Sequence, residues 1–292
     1  MSLGFSILQT LKYSDYFGFP LTLEEIHLRL IGVHSSRPIL VHTINQMLIK
    51  RLIEQSGNYY HLPSHSGLVA RRHTRAKLSA SLITRARSLA SRLARLPGVL
   101  AIYLTGSLAL DNGDDTSDID LMIITQRGRL WTTRLLLTLA TSLLGLRRTP
   151  TSHHNSGKLC LNLYLTPSSY LLPSPRRSLY TAYELIQAIP LYDPHNTNSA
   201  LLAANPWIHS YLPNFPLPTP TGSDPEGRAQ PRQYSVRGGS DPIGRTIESL
   251  CYRLQLLYMH GKLTREYITP NSAFFHPHDP GKIILHKLTL LK

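Results

Sequence analysis

What most constrains the fold is a pair of short apolar runs, VLAIYL at 99–104 and DIDLMIIT at 118–125, joined by a segment of quite different composition. Pro97 and Gly98 break the helical pattern ahead of the first run. The β-branched, aliphatic and aromatic content of both runs marks them as buried strands. KLCLNLYL at 158–165 reads as a third strand, and a helix is expected from about 128 to 146, between the second and third. Strands alternating with helices imply an α/β or α+β core.

The joining segment, with its flanks, reads TGSLALDNGDDTSDIDLMIIT (105–125), and it concentrates acids in a chain whose formal net charge is +14. Alternate side chains of a strand share a face, so Asp118 and Asp120 converge while Ile119 and Leu121 turn the other way. Two carboxylates ~7 Å apart on one strand repel each other, and a divalent cation between them relieves the repulsion. Mg²⁺ suits such a site, with Mn²⁺ as its substitute, because it takes oxygen ligands from one or two carboxylates and from substrate phosphates. Gly106 allows close backbone approach, and the Ser107 hydroxyl and amide can donate to a phosphate oxygen at a helix start. Asp111, Asp114 and Asp115 are expected to solvate the turn.

Gly-Ser, ten residues, then Asp-x-Asp leading into an apolar strand resembles the polymerase-beta-like nucleotidyltransferase superfamily, over roughly residues 97–165. The resemblance implies a mixed sheet flanked by helices, in an α+β fold with an α/β-like core. It also implies a nucleoside triphosphate bound through Mg²⁺, an acceptor attacking the α-phosphorus, and pyrophosphate leaving. By the same resemblance Asp118 and Asp120 are catalytic and hold metal, while Gly106 and Ser107 bind the nucleotide. The superfamily usually adds a third carboxylate from a later strand, yet residues 121–183 contain no Asp or Glu. Asn162 stands on the strand expected to supply it, and a neutral amide cannot act as a carboxylate base. Glu184 is the next acid and has no assigned role. Two functions therefore stay open: transfer of a nucleoside monophosphate to an unknown acceptor, or a catalytically silent, nucleotide-sensing, DNA-binding regulator.

Residues 1–70 read as three helices and a hairpin. In PLTLEEIHLRLIG, Thr22 caps a helix with Glu25 three residues on, and Leu23, Ile26 and Leu30 share its apolar face. In SSRPILVHTINQMLIKRLI, Ser36 is the cap, Pro38 lies in the first turn, and Val41, Ile44, Leu48 and Leu52 form the inward stripe. Two short strands follow around Ser56, Gly57 and Asn58. This order resembles a winged helix-turn-helix domain, which implies a DNA partner met by His42, Asn45, Gln46 and Lys50 in the major groove and by Tyr59 and Tyr60 in the wing. Packing against a neighbouring domain is the other use of such a module.

From Arg71 to Leu96 an amphipathic helix is expected to bury Leu78, Leu82, Ala86, Leu89, Leu93 and Leu96 and to show arginines to water. It opens a core spanning 71–200. A proline-rich irregular segment covers 201–242, and a C-terminal helical segment, 243–292, is expected to dock on the core through Ile243, Ile247, Leu250, Cys251, Leu254, Leu257 and Tyr258. Lys and Arg outnumber Asp and Glu by 31 to 17, which favours an anionic partner, whether nucleotide, nucleic acid or membrane surface, without choosing among them. Arg129 and Lys158 are the preferred phosphate contacts. Cys160 and Cys251, far apart and without CxxC spacing, are expected as buried thiols. His153 with His154, and His276 and His278 with Asp279, read as incidental loop residues. The most apolar stretch, LLLTLATSLLGL at 135–146, is too short for a span that needs ~20 residues. With no signal-peptide pattern at the start, a cytoplasmic location is expected.

Overall fold

The computed structural model describes residues 2–149, 156–219, 242–261 and 266–275. The N-terminal module runs α1 (Leu3–Tyr16), β1 (Leu21–Thr22), α2 (Leu23–Leu28), α3 (Arg37–Ile49), β2 (Glu54–Ser56) and β3 (Tyr59–His61). Helix α2 starts on a complete capping box. The Thr22 amide donates to Glu25 Oε2 at 2.8 Å and the Glu25 amide to Thr22 Oγ1 at 3.2 Å, so two of the orphan donors at the helix start are satisfied. Strand β3 pairs antiparallel with both β2 and β1.

The inward face of α3 is Leu40, Ile44 and Met47, packed with Ile7 and Leu11 of α1 and with Ile26 of α2. The expected stripe of Val41, Ile44, Leu48 and Leu52 is thus rotated by one position, and Leu52 is exposed. Ile44 belongs to both stripes, so apolar spacing permits either one. The position of α1 and α2 selects between them. His42, Asn45, Gln46 and Lys50 lie on the exposed side, while Tyr59 and Tyr60 are half-buried.

Helix α4 (Gly67–Leu93) leads into a six-stranded mixed sheet of order β7-β4-β5-β6-β9-β8. Its strands are β4 (Val99–Leu104), β5 (Ile119–Thr125), β6 (Leu159–Leu165), β7 (Ile189–Tyr192), β8 (Tyr267–Ile268) and β9 (Ser272–Phe274). Strand β4 is antiparallel to β5, and β5 is parallel to β6 through the crossover helix α5 (Leu130–Leu143). Both sheet faces are covered. Ile102, Leu104, Leu121 and Ile123 pack with Ala86, Ala90 and Leu93 of α4 and with Trp131 and Leu137 of α5. Tyr103, Met122 and Ile124 pack on the other side with α6 (Leu179–Gln187) and α7 (Thr197–Ala203).

Several elements differ from the sequence reading. Helix α4 starts earlier and ends sooner than expected; Leu78 is 40% exposed, while Ser79 is buried. Ser79 takes the inward position because its hydroxyl accepts the Gly113 amide at 3.0 Å. Pro190 lies inside β7 rather than merely ending a helix, which an edge strand paired on one side tolerates. The segment after residue 205 contributes a 3-10 turn, Pro206–Ser210, and residues 220–241 of the proline-rich stretch lie outside the described residues.

Helix α8 (Pro242–Met259) does dock on the core, but with a neighbouring face: of the expected residues Cys251 is buried, together with Glu248, Gln255 and Met259, while Ile243, Ile247, Leu250, Leu254, Leu257 and Tyr258 are exposed. Polar complementarity sets this choice. Glu248 accepts from the Trp131 and Thr132 amides at the start of α5, at 2.6 and 2.9 Å, and Gln255 donates to the Trp131 carbonyl at 2.8 Å. After α8 the chain returns to the sheet as β8 and β9, with β9 antiparallel to β6.

The N-terminal module is fastened to this core. Tyr13 of α1 stacks on Tyr183 of α6 with ring centroids 4.1 Å apart, and the Tyr183 hydroxyl donates to the Arg29 carbonyl at 2.9 Å. Arg72 of α4 forms a two-pronged pair with Glu25, at 2.8 and 2.7 Å, while its guanidinium lies over the Phe19 ring. Asn214 ties Ser35 and His27 to the chain beyond α7. Among the described residues no helix is long and apolar enough to cross a membrane.

Candidate active site

Antiparallel pairing brings the end of β4 to the start of β5. Leu104 pairs with Leu121, and the Thr105 amide donates to the Asp120 carbonyl at 3.0 Å. Gly106 follows with φ +67° and ψ −154°, a conformation only glycine adopts readily, and a side chain there would run into the Asp120 carboxylate. The glycine backbone therefore lies directly against the second aspartate of the motif. Ser107, exposed, opens the 3-10 turn Ser107–Leu110.

The acidic loop is built, not loose. The Asn112 amide donates to the Ser107 carbonyl at 3.0 Å. The Asn112 side chain is buried, with its amide on the Phe17 carbonyl and its oxygen accepting from Arg75. Asp114 accepts from Thr116 and Ser117 and pairs with Arg75 at 3.2 Å. The Thr116 bond above all holds its carboxyl below the usual range. Asp114 thus organises the turn, in keeping with the expected turn role of these acids, and two arginines of α4 that looked merely solvated, Arg72 and Arg75, are structural.

Asp118 and Asp120 head the row that continues as Met122 and Ile124 toward α6, whereas Ile119 and Leu121 are buried on the α4 side. Their carboxylate oxygens and the Cys160 sulfur all lie within 4.8 Å of one another. Cys160 faces Asp120 in the β5–β6 register, and the pairing then shifts so that Asn162 falls between the Leu121–Leu161 and Met122–Leu163 pairs. Asn162 donates to Asp120 and receives the Cys160 thiol proton bond. Arg148 binds Asp118 at 2.6 Å, and its own amide donates to the Leu159 carbonyl at 2.9 Å.

Burial, and then the Asp118 charge, pushes the Asp120 carboxyl up to about 7. Glu184 of α6, half-buried on the same side of the sheet, is pushed up to about 7 by burial and then by the Asp120 charge. Burial and the Asp120 charge also push the Cys160 thiol up, so it is a hydrogen-bond donor at this site and not a thiolate. Asp118 and Asp120 thus lie side by side with Arg148 on Asp118, and Glu184 feels the Asp120 charge.

All four residues expected from the sequence, Gly106, Ser107, Asp118 and Asp120, fall on adjoining ends of β4 and β5. Arg129 does not join them. It precedes α5 at the far end of β5, and a strand of seven residues is about 20 Å long. Helix α5 carries the chain back, so Arg148 and Lys158 return to the Asp118 end. Reading along the sequence kept Arg148 only as one of eight basic residues that could neutralise phosphate and missed Cys160 as a site residue, because only the parallel pairing of β6 with β5 places them there. Glu184, which had no assigned role, feels the Asp120 charge from α6. His153, His154, His276, His278 and Asp279 lie outside the described residues.

The donor set fits a hard divalent cation. Asp118 and Asp120 offer carboxylate oxygens in a crowded, partly buried site, and the Cys160 sulfur beside them is a soft donor that suits a hard cation poorly. A family model described as a nucleotidyltransferase domain matches residues 86–148, a span that holds Gly106, Ser107, Asp118, Asp120 and Arg148 and ends before β6. No curated protein and no solved structure shows a significant match to the chain. Over residues 86–148, about a fifth of the chain, the sequence is thus similar to a nucleotidyltransferase domain.

Proposed function

We propose that the chain is a Mg²⁺-dependent nucleotidyltransferase that moves a nucleoside monophosphate from a nucleoside triphosphate to an acceptor. The observation that carries this reading is the Gly106 backbone lying against Asp120, with Asp118 beside it and Ser107 opening the next turn. Asp118 and Asp120 would hold the cation, and Mn²⁺ would serve in its place. When bound, it supplies charge neutralisation on the triphosphate and at the phosphorus under attack. Gly106 leaves room for phosphate oxygens to approach the main chain, and the Ser107 hydroxyl and amide donate to them. Arg148 exchanges Asp118 for a phosphate oxygen when nucleotide arrives.

The test is incubation with labelled ATP, GTP, CTP or UTP and Mg²⁺ or Mn²⁺, comparing the wild type with Asp118→Ala/Asp120→Ala. Label transfer and pyrophosphate release are expected from the wild type and should fall at least 100-fold in the double variant. Equal traces from both proteins would overturn the reading.

A silent nucleotide sensor is the second reading, and Asn162 favours it. That amide, at the register shift of β6, donates to Asp120 from the strand on which a third carboxylate would be expected. Nucleotide binding that Asp118→Ala/Asp120→Ala weakens, with no turnover by either protein, would establish this alternative. In both readings the N-terminal module is proposed as a winged helix that meets DNA through α3, supported by the exposure of His42, Asn45, Gln46 and Lys50.

A further inference from the structure

Cys160 stands opposite Asp120 in the β5–β6 register, so its sulfur is brought to the Asp118–Asp120 pair by a strand and not by a loop. Among the described residues this is the one set of three His, Cys, Asp or Glu side chains whose ligand atoms come within 4.8 Å of one another. A tetrahedral Zn²⁺ bound by two carboxylate oxygens and a sulfur, with bonds of ~2.0–2.3 Å, sets its ligand atoms ~3.3–3.6 Å apart. Side-chain torsions close that difference without moving the strands. All three residues are half-buried, so a cation can reach them from solvent. Three protein ligands leave the fourth tetrahedral position to water, which is the make-up of an open zinc site.

We propose that Asp118, Asp120 and Cys160 together bind Zn²⁺, and that Zn²⁺ so held excludes Mg²⁺ from the two aspartates. Mg²⁺ takes oxygen ligands in an octahedral shell and leaves the sulfur idle. A borderline-soft cation gains a third protein bond from it. Both metals need the same two carboxylates, so one displaces the other. Ligation sends the thiol proton to solvent, because a coordinated thiol is deprotonated outright, and the thiol gives up its bond to Asn162. Two carboxylates and a thiolate then outweigh the charge of the metal they hold. Mg²⁺ on the carboxylates alone is balanced, and it keeps several positions for phosphate oxygens where tetrahedral Zn²⁺ keeps one. Zn²⁺ is therefore an inhibitor of transfer at this site. Inhibition presupposes the nucleotidyltransferase reading, whereas ligation needs only the three side chains.

Titration of the full chain with Co²⁺ tests the ligand set, because a bond from Co²⁺ to a thiolate absorbs strongly in the near ultraviolet and a bond to a carboxylate does not. The wild type is expected to show that band, to lose it when Zn²⁺ is added, and to keep it when Cys251 is replaced in Cys251→Ser. Cys160→Ser should abolish the band and weaken Zn²⁺ binding at least tenfold. Asp118→Asn leaves both thiols in place and should weaken Co²⁺ binding to a similar degree, which keeps the test sound if Cys160→Ser folds poorly. Exclusion is read from Mn²⁺ bound to the chain in place of Mg²⁺, which Zn²⁺ should release into its free paramagnetic signal. A wild type without the thiolate band would overturn the proposal, as would a band that survives Cys160→Ser or Mn²⁺ that stays bound beside Zn²⁺. A chain that gives the band and releases Mn²⁺ yet transfers no nucleotide with Mg²⁺ would support the zinc site and count against the nucleotidyltransferase reading alone.

Discussion

Gly106 carries two constraints at once. Its φ of +67° is one that side-chain-bearing residues rarely adopt, and the space where a Cβ would sit belongs to the Asp120 carboxylate. Gly106→Ala is therefore expected to cost about 1–3 kcal/mol of stability and to reduce nucleotidyl transfer by at least 100-fold, read as a lower melting temperature together with lower kcat/KM. Asp120 gives a pH dependence of defined sign. Its carboxyl is raised to about 7 in the folded chain, from an ordinary value near 3.8. Between those values the folded protein holds a proton that the unfolded chain has lost, so stability is full below the lower value and falls as pH rises through the higher one. Without divalent cation, the melting temperature should drop by several degrees between pH 5 and pH 8. Asp120→Asn should flatten that slope, whereas an identical slope in the variant would assign it to other groups.

At the scale of elements, Glu25 shows how one side chain can stabilise two contacts. It closes the capping box of α2 and accepts the two-pronged Arg72 bond from α4. Burial opposes its ionisation, and the bonds from Arg72 and the Thr22 amide outweigh burial and hold its carboxyl below the usual range. Glu25→Ala would remove a cap worth ~1 kcal/mol and leave a largely buried guanidinium unpaired, for a total loss of about 3–5 kcal/mol. Thermal or denaturant unfolding measures it. Glu25→Gln, which keeps part of the hydrogen bonding, should lose less. The joint between α1 and α6 links the N-terminal module to the site in the same manner, because Tyr183 stacks on Tyr13 while its neighbour Glu184 feels Asp120.

For the whole molecule, a formal charge of +14 and an exposed α3 face predict DNA binding that weakens steeply with salt. Neutralising Lys50 and Arg51 together should reduce duplex affinity and lower the dependence on salt by about two units of log–log slope. Affinity unchanged by the two substitutions would count against α3 as the DNA-facing element. The strands β4, β5 and β6, the helix between the last two, the capping box of α2 and the convergence of Asp118 with Asp120 were legible in the amino-acid order. Each is set by short-range periodicity, by a local hydrogen bond, or by the alternation of side chains along a strand. What required the folded chain is of another kind. Which face of α3 or α8 turns inward depends on partners distant in sequence, and α8 follows its polar bonds to α5 although its apolar seam points elsewhere. Cys160, Asn162 and Arg148 reach Asp118 and Asp120 only because β6 runs parallel to β5 in one register, and Glu184 nears them only because α6 covers that face of the sheet. Periodicity along a chain encodes which residues share a face. Packing between elements decides what that face meets, because contact energies depend on neighbours that the local sequence does not specify.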